Sequence, residues 1–193
     1  MTVAQTGNAV RSAAPSTAAV LGNFAGFQIG WFACVLSAAR DWPWAGTLIA
    51  AVIVGVHACR AARPQEEAKL LAIALVTGLV CDSLLFSAGW IDFRSGVVVP
   101  GMAPHWILAM WALFATTLNV SLAWLKQRLP TGAVLGAIAG PLAYWGGARL
   151  GAVTLADPVP ALAALSLVWA LVTPLLSCAA RRYDGIGERR ENV

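Results

Sequence analysis

Five polar side chains stand inside strongly apolar stretches of this chain, and their types could support chemistry: Gln28, Asp82, Asn119, Tyr144 and Arg149. The clearest case is Asp82, which interrupts the apolar run LVTGLVCDSLLFSAGW at residues 75–90. A carboxylate can carry a proton, pair with a cation or accept hydrogen bonds. A buried one is therefore either a functional group or an anchor between neighbouring elements.

The composition places these side chains in a membrane. Of the 193 residues, 59% are hydrophobic and 11% are charged, and the mean hydropathy is +0.73. A soluble domain carries about 25% charged residues. The charges are too few to cover a water-facing surface, so the chain is predicted to lie in a lipid bilayer.

The apolar stretches predict helices that cross this bilayer. A spanning helix needs about 20 mostly apolar residues, and six stretches qualify, at 18–39, 44–62, 69–90, 104–125, 131–152 and 159–180. The connections are short and rich in Pro and charge. The predicted fold is all-α, a polytopic six-helix transmembrane bundle over residues 18–180, with a cytoplasmic tail at 1–17 and a basic cytoplasmic tail at 181–193.

The distribution of basic residues predicts the orientation. If the N-terminus is cytoplasmic, that side holds ten basic residues: Arg11, Arg60, Arg63, Lys69, Lys126, Arg128, Arg181, Arg182, Arg189 and Arg190. The opposite side holds three: Arg40, Arg94 and Arg149. This asymmetry predicts that both termini are cytoplasmic. It also explains the net charge of +4 without a nucleic-acid partner.

Small residues recur along two of the predicted helices at steps of three and four, and so share one face of each helix. In helix five they are Gly132, Gly136, Gly140, Ala143, Gly147 and Gly151. In helix one they are Gly22, Gly26, Gly30, Ala33 and Ser37. Membrane helices associate through such faces because small side chains let backbones approach closely. Both faces are expected to be tight interhelical contacts.

Asp82 lies about 12 Å below the outer end of its predicted helix. At that depth it is protonated, paired or lining a wet cavity, and the sequence leaves these alternatives open. Tyr144 and Gln28 lie at a similar level, so Asp82 is expected to face helix five or helix one. Arg149 lies about one turn nearer the surface and either pairs inward or extends outward to the headgroups. Asn119 shares a polar helix face that must point into the bundle.

Signatures of common membrane enzymes are absent from the sequence. His57 and His105 are the two histidines, and they fall near opposite ends of the bundle, so they are not expected to share a metal. No two carboxylates are expected inside the membrane together. No nucleotide-binding, nucleophile-elbow or histidine-box motif occurs. No cofactor and no metal site are therefore predicted, while the question of enzymatic activity stays open.

Several motifs resemble a known family. They are NFAGFQIGWFACV in helix one, CDSLLFSAG in helix three, FATTLNVSLAWL in helix four and GPLAYWGGARLGA in helix five. Together they resemble the bacterial membrane proteins grouped as domain-of-unknown-function family 2878, over roughly Asn23 to Ala152. The resemblance implies a multi-pass protein of the bacterial inner membrane. Its genes often lie near lipid-modifying methyltransferase and photo-oxidative stress genes, which implies a link to membrane-lipid biology and assigns no catalytic residue.

These observations favour one functional hypothesis and leave two others open. The leading hypothesis is a protein that binds or translocates a small or lipid-like molecule at an interior polar cluster around Asp82, with Gln28, Asn119, Tyr144 and Arg149 as further binding residues. The second is an accessory or catalytic component of membrane-lipid modification. The third is a structural partner in a membrane assembly. The expected partners are the bilayer, a small or lipid ligand and another membrane protein.

Overall fold

The computed structural model describes residues 15–187, which fold into six α-helices, two short strands and one 3₁₀ helix. The α-helices are α1 Thr17–Ala38, α2 Pro43–Arg60, α3 Pro64–Ser87, α4 His105–Leu118, α5 Leu129–Arg149 and α6 Pro158–Arg182. The strands are β1 Ile91–Phe93 and β2 Val153–Leu155, and the 3₁₀ helix is Ala123–Gln127. The all-α polytopic fold is confirmed. Most of the predicted tail at 1–17 lies outside the described residues.

Four of the helices, α1, α2, α3 and α6, are long and apolar enough to cross a membrane. The fourth helix is shorter than the prediction of 104–125, because α4 has 14 residues and ends at Leu118. It is therefore about 21 Å long, against about 30 Å for the hydrocarbon core. Asn119 ends it, since an Asn side chain competes for hydrogen bonds outside the helix. The chain turns there and continues as the 3₁₀ helix.

Proline sets where three of the long helices begin. Pro43, Pro64 and Pro158 are the first residues of α2, α3 and α6. Proline suits this position because the first helical N–H has no intrahelical acceptor in any case. The prediction started helix three at residue 69, five residues too late. The earlier start brings Glu67 into the helix, where its side chain is buried.

The C-terminal ends of α3 and α5 are built alike and are joined to each other. Each helix is followed by a glycine with positive φ, Gly89 at 73° and Gly151 at 86°. Glycine adopts this left-handed conformation without a steric penalty and ends the helix. The chain then enters β1 after α3 and β2 after α5, and the two strands pair antiparallel with Asp92 opposite Thr154. This two-stranded sheet connects the C-terminal ends of two helices that are distant in sequence.

The other helices are arranged around α4. Helices α1, α2 and α3 all pack against α4, and α6 packs against α3, α4 and α5. Every residue of the segment 115–120 at the end of α4 is buried. Around this centre the order is α1, α2, α3, α6, α5. Helices α1 and α5 stand at the two ends of the series and have little backbone contact, so the ring of backbones is open between them. The side chain of Trp31 stands in this gap, close to Gly146.

The glycine face of α5 is an interface, as the spacing predicts. Gly132, Gly136, Gly140 and Gly147 are all buried. A side chain at Gly136 would overlap Thr173, and one at Gly140 would overlap the ring of Trp169, so this face is in backbone contact with α6. The face on α1 is only partly used. Gly30 meets Leu113 of α4, whereas Gly22 has nothing near it.

A larger side chain on the α5 face should separate α5 from α6. Gly140→Leu is expected to cost about 1–3 kcal/mol from overpacking alone and to lower the melting temperature in detergent or prevent accumulation. Val134→Leu is the control, because Val134 lies on the same helix and is 60% exposed. Equal tolerance of the two substitutions would contradict the packing described here.

Candidate functional site

Asp82 is the acceptor at the centre of a buried polar cluster. Its side chain is 1% exposed. The indole Nε1–H of Trp111 donates to Oδ2 at 2.6 Å, and the hydroxyl of Tyr144 donates to Oδ1 in a close contact. The three residues come from α4, α5 and α3, so one carboxylate joins three helices across the core. Both of its oxygens are satisfied by protein donors.

Glycine makes room for this arrangement. Gly78 lies one turn before Asp82 on α3, and a side chain there would overlap the indole of Trp111. On its far side this indole stacks on Trp169 of α6, with ring centroids 4.7 Å apart and planes at 10°. Phe114 stands edge-on to Trp169 at 5.2 Å. Trp111 is thus held on both faces, with its N–H directed at the carboxylate.

An apolar crevice adjoins this cluster. A cavity of about 60 Å³ lies where the ring is open between α1 and α5, and a smaller one of about 20 Å³ shares part of its lining. The larger cavity has aromatic walls drawn from α1, α4, α5 and α6: Phe27, Trp31, Trp111, Phe114, Tyr144 and Trp169. The smaller one extends toward β2 and reaches Val153. We refer to the two cavities together as the crevice.

Tyr144 belongs to both the cluster and the crevice. Its hydroxyl proton is directed to Asp82, while the residue lines both cavities. A phenol oxygen that gives its proton to a carboxylate still has lone pairs for a second partner. The lining of the crevice is nevertheless almost entirely apolar, so that oxygen is barely exposed there. Ala143, the preceding residue, also lines both cavities and has no side chain long enough to fill them.

The five residues singled out from the sequence do not form one cluster. The structure brings Asp82 and Tyr144 together, and Trp111 is the partner that the sequence did not reveal. Arg149 is exposed at the end of α5, with its guanidinium 5.9 Å from the ring centroid of Trp145, so it does not pair inward. Gln28 is half-buried on α1 and is not among the donors to Asp82.

Asn119 belongs to a second polar cluster, at the end of the bundle where α3 begins. Its Nδ2 donates to Oε1 of Glu67 in a close contact and to the carbonyl oxygen of Tyr183 at 3.1 Å. Glu67 is fully buried. His57 Nε2 lies 2.9 Å from its Oε2, within hydrogen-bonding distance. The backbone N–H of Gly185 donates to Oε1 at 2.9 Å.

This second cluster contains a buried carboxylate that the sequence did not single out. Glu67 and Asp82 are both buried on α3, and 15 residues of helix separate them by about 22 Å. At that separation they cannot act as an acid–base pair on one substrate. The sequence signal that would have placed Glu67 in the helix is Pro64 three residues earlier, which suits a first helical position.

The segment after α6 is part of the same cluster. The predicted tail begins at residue 181, but α6 continues to Arg182 and residues 183–187 pack against the bundle. Lys126 pairs with Asp184 at 2.9 Å. Burial raises the pKa of the Asp184 carboxyl, but the Gly187 N–H and the Lys126 ammonium lower that pKa by more, so it lies below its ordinary value. The stabilisation it contributes is lost only as the pH falls through this lowered pKa.

No metal site accompanies these clusters within residues 15–187. The structure places no group of three or more His, Cys, Asp or Glu side chains where they could hold a metal ion there. The arrangement around Asp82 joins three helices, and an aromatic, apolar surface lies beside it.

The fold and these clusters define an all-α, multi-pass membrane protein with an apolar crevice beside a buried carboxylate. The chain belongs to the family described as protein of unknown function (DUF2878), whose model matches residues 20–175. No curated protein and no solved structure matches it. The family match includes Asp82, Trp111 and Tyr144 and stops before the segment 183–187.

Substitutions of Asp82 separate its hydrogen-bonding role from its charge. In Asp82→Asn the amide oxygen can accept from Trp111 and the amide N–H can donate to the Tyr144 oxygen. This variant should therefore accumulate and melt within a few degrees of the wild type. Asp82→Leu leaves both donors buried without an acceptor and should cost about 1–3 kcal/mol or more.

The measurement is the melting temperature of the purified protein in detergent, compared for both variants. Trp111→Phe is a third variant that removes one N–H and keeps an aromatic ring against Trp169. Its melting temperature should lie between those of Asp82→Asn and Asp82→Leu. An Asn variant as unstable as the Leu variant would show that the negative charge itself is required.

Proposed function

We propose that this protein binds a lipid-like molecule by taking part of its hydrocarbon chain into the crevice from the side, through the gap between α1 and α5. The observation that carries the proposal is the crevice itself. It is lined by aromatic side chains from four helices, and it lies where the ring of helices is open. A molecule that reaches it from that side comes from the hydrocarbon region of the bilayer.

The size of the crevice limits what enters it. An apolar cavity that holds a benzene molecule has a volume of about 150 Å³. The larger cavity, of about 60 Å³, is smaller than this. It therefore suits a segment of a chain rather than a whole ligand. The rest of the molecule would extend along α1 and α5, whose outward residues Ile29, Phe32, Leu142 and Trp145 are exposed and apolar.

The lining of the crevice adds a preference. It is almost entirely apolar, and the hydroxyl proton of Tyr144 is directed to Asp82. The crevice therefore favours the hydrocarbon part of a lipid over a polar headgroup. Asp82 itself has both oxygens bonded to protein donors and is 1% exposed. This favours binding over the transport of a proton or cation, and makes Asp82 the residue that orients Tyr144.

Filling the crevice should abolish lipid retention. Ala143→Leu places a larger side chain in both cavities, whereas Ala139→Leu puts the same side chain one turn earlier on the exposed surface of α5. Lipids that co-purify with the protein in mild detergent would be quantified by mass spectrometry. The wild type and Ala139→Leu should retain the same lipid species, and Ala143→Leu should lose at least about 1 kcal/mol of affinity, roughly five-fold.

Two results would contradict this proposal. One is a wild-type preparation with no lipid species enriched over the surrounding membrane. The other is equal retention by Ala143→Leu and Ala139→Leu, with both variants folded.

We further propose that the protein resides in the bacterial cytoplasmic membrane with both termini in the cytoplasm. Lys126, Arg128, Arg181 and Arg182 lie at the end of the bundle where α3 begins, together with Arg63. Arg94 lies at the other end, where it pairs with Asp41 at 2.9 Å. Basic residues favour the cytoplasmic side of short loops.

Reporter fusions test this orientation. Alkaline phosphatase is active only after export, so fusion at the C-terminus should give no activity. Fusion within residues 92–103, in the connection before α4, should give high activity. The reverse pattern would overturn the orientation without affecting the crevice.

A further inference from the structure

The segment 183–187, which follows α6, turns back onto the bundle and is bound by backbone and side-chain groups. The carbonyl oxygen of Tyr183 accepts from Asn119 at 3.1 Å. The N–H of Gly185 donates to Glu67 at 2.9 Å, and its carbonyl oxygen accepts from the backbone N–H of Arg63 at 2.9 Å. These contacts connect the segment to the end of α4 and the start of α3.

Charged groups hold the same segment from two sides. The Arg63 guanidinium donates to the carbonyl oxygens of Asp184 and Gly187, the second at 3.1 Å. The Asp184 side chain accepts from the N–H groups of Ile186 and Gly187 at 3.0 and 2.9 Å. Its other oxygen pairs with Lys126 of the 3₁₀ helix. The segment is therefore fastened by these polar contacts and, at its first residue, by packing of Tyr183 against the hydrophobic core.

Docking of this segment affects the hydrogen bonding and the solvent exposure of the Glu67 carboxylate. Glu67 is fully buried, and a buried carboxylate must be surrounded by donors. Two of its hydrogen-bond partners, His57 and Asn119, come from α2 and from the end of α4. The third is the N–H of Gly185. If the segment leaves, the carboxylate loses one donor and becomes accessible together with His57.

Because of where Glu67 lies, docking of the segment affects the contacts between α3 and α4. Helix α3 carries both Glu67 and Asp82, while α4 carries Trp111 and is followed directly by Asn119. Carboxylates on α3 thus bind donors of the α4 region at two places, Trp111 in the core and Asn119 at the end. Docking of the segment stabilises the second of these contacts, because Asn119 also donates to Tyr183.

We propose that residues 183–187 are a latch, which in its docked state completes the hydrogen bonding of Glu67 and fixes the ends of α3 and α4, and in its released state opens the Glu67–His57–Asn119 cluster to solvent. The latch is a conformational device at the end of the bundle. It is independent of lipid binding in the crevice, so a result that contradicts one of the two proposals does not contradict the other.

Two glycines of the latch supply a matched pair of variants. A Cβ at Gly185 would lie 2.5 Å from the Arg63 carbonyl oxygen and 2.6 Å from Cγ of Glu67, which forces the segment away. A Cβ at Gly187 would lie 3.5 Å from its nearest neighbour, Asp184, which is an ordinary contact. Gly185→Ala should therefore release the latch, and Gly187→Ala should leave it docked.

The test is amide hydrogen exchange of the full-length protein in detergent, followed by mass spectrometry. In the wild type and in Gly187→Ala, the amides of residues 183–187 should be protected. In Gly185→Ala their exchange should rise about ten-fold or more, and exchange at the start of α3 should rise with it. Lys126→Gln removes the ion pair to Asp184 without adding bulk, and should give a smaller rise in the same segment.

Lys126→Gln also covers the case in which Gly185→Ala fails to accumulate. Unprotected amides at 183–187 in the wild type would overturn the latch. Equal protection in all folded variants would overturn it as well, because the segment would then be held by something other than the contacts described.

Discussion

The requirement that a buried carboxylate be surrounded by donors governs the core of this protein. Asp82 is placed on α3 where water does not reach it, so the donors must come from the protein. Trp111 of α4 and Tyr144 of α5 supply them. An isolated pair of apolar helices in lipid has no hydrophobic force to fix its register. These two directional hydrogen bonds define the register of α3 against α4 and α5 more closely than van der Waals contact alone.

The C-terminal end of the short central helix α4 is also buried, and its polar groups also need hydrogen-bond partners from the protein. Since α4 stops at Leu118, its last carbonyl groups and the turn after it lie inside the bundle and need partners. Asn23 of α1 donates to the Thr116 carbonyl oxygen at 3.2 Å, and its own oxygen accepts from the Ser121 hydroxyl at 2.6 Å. Asn119 then binds Glu67. The polar side chains near this end therefore satisfy irregular backbone that lipid could not solvate.

Much of the fold could be predicted from the sequence, because it depends on local patterns. The apolar spans, the glycine face of α5 and the orientation of Asp82 toward helix five or helix one all follow from helical spacing and depth. The partner Trp111 could not be predicted, since a tryptophan in an apolar helix packs in the same way whether or not its N–H has a specific acceptor. Glu67 was missed because its helix was started five residues too late.

The sequence predicts Asn119 in the Asp82 cluster because it lies on an inward polar face of a helix predicted to continue to residue 125. The real α4 ends at Leu118, and the following turn directs Asn119 to another partner. The sequence leaves two orientations open for Arg149, and only the packing of α5 decides that its side chain stays outside the bundle. Errors of this kind arise where an element ends, because the end depends on contacts distant in sequence.

The pattern of helix contacts also has a consequence for how the chain is assembled during synthesis. Helices α1 to α4 are made first and pack on one another, whereas α5 packs mainly on α6 and so is added as part of a helical pair. Until that pair arrives, Asp82 has only Trp111 as a donor, and Glu67 lacks Gly185. Both buried carboxylates are completed by the last third of the chain. An unfinished or truncated bundle therefore contains under-bonded acidic groups, which a membrane quality-control protease could distinguish from the finished protein.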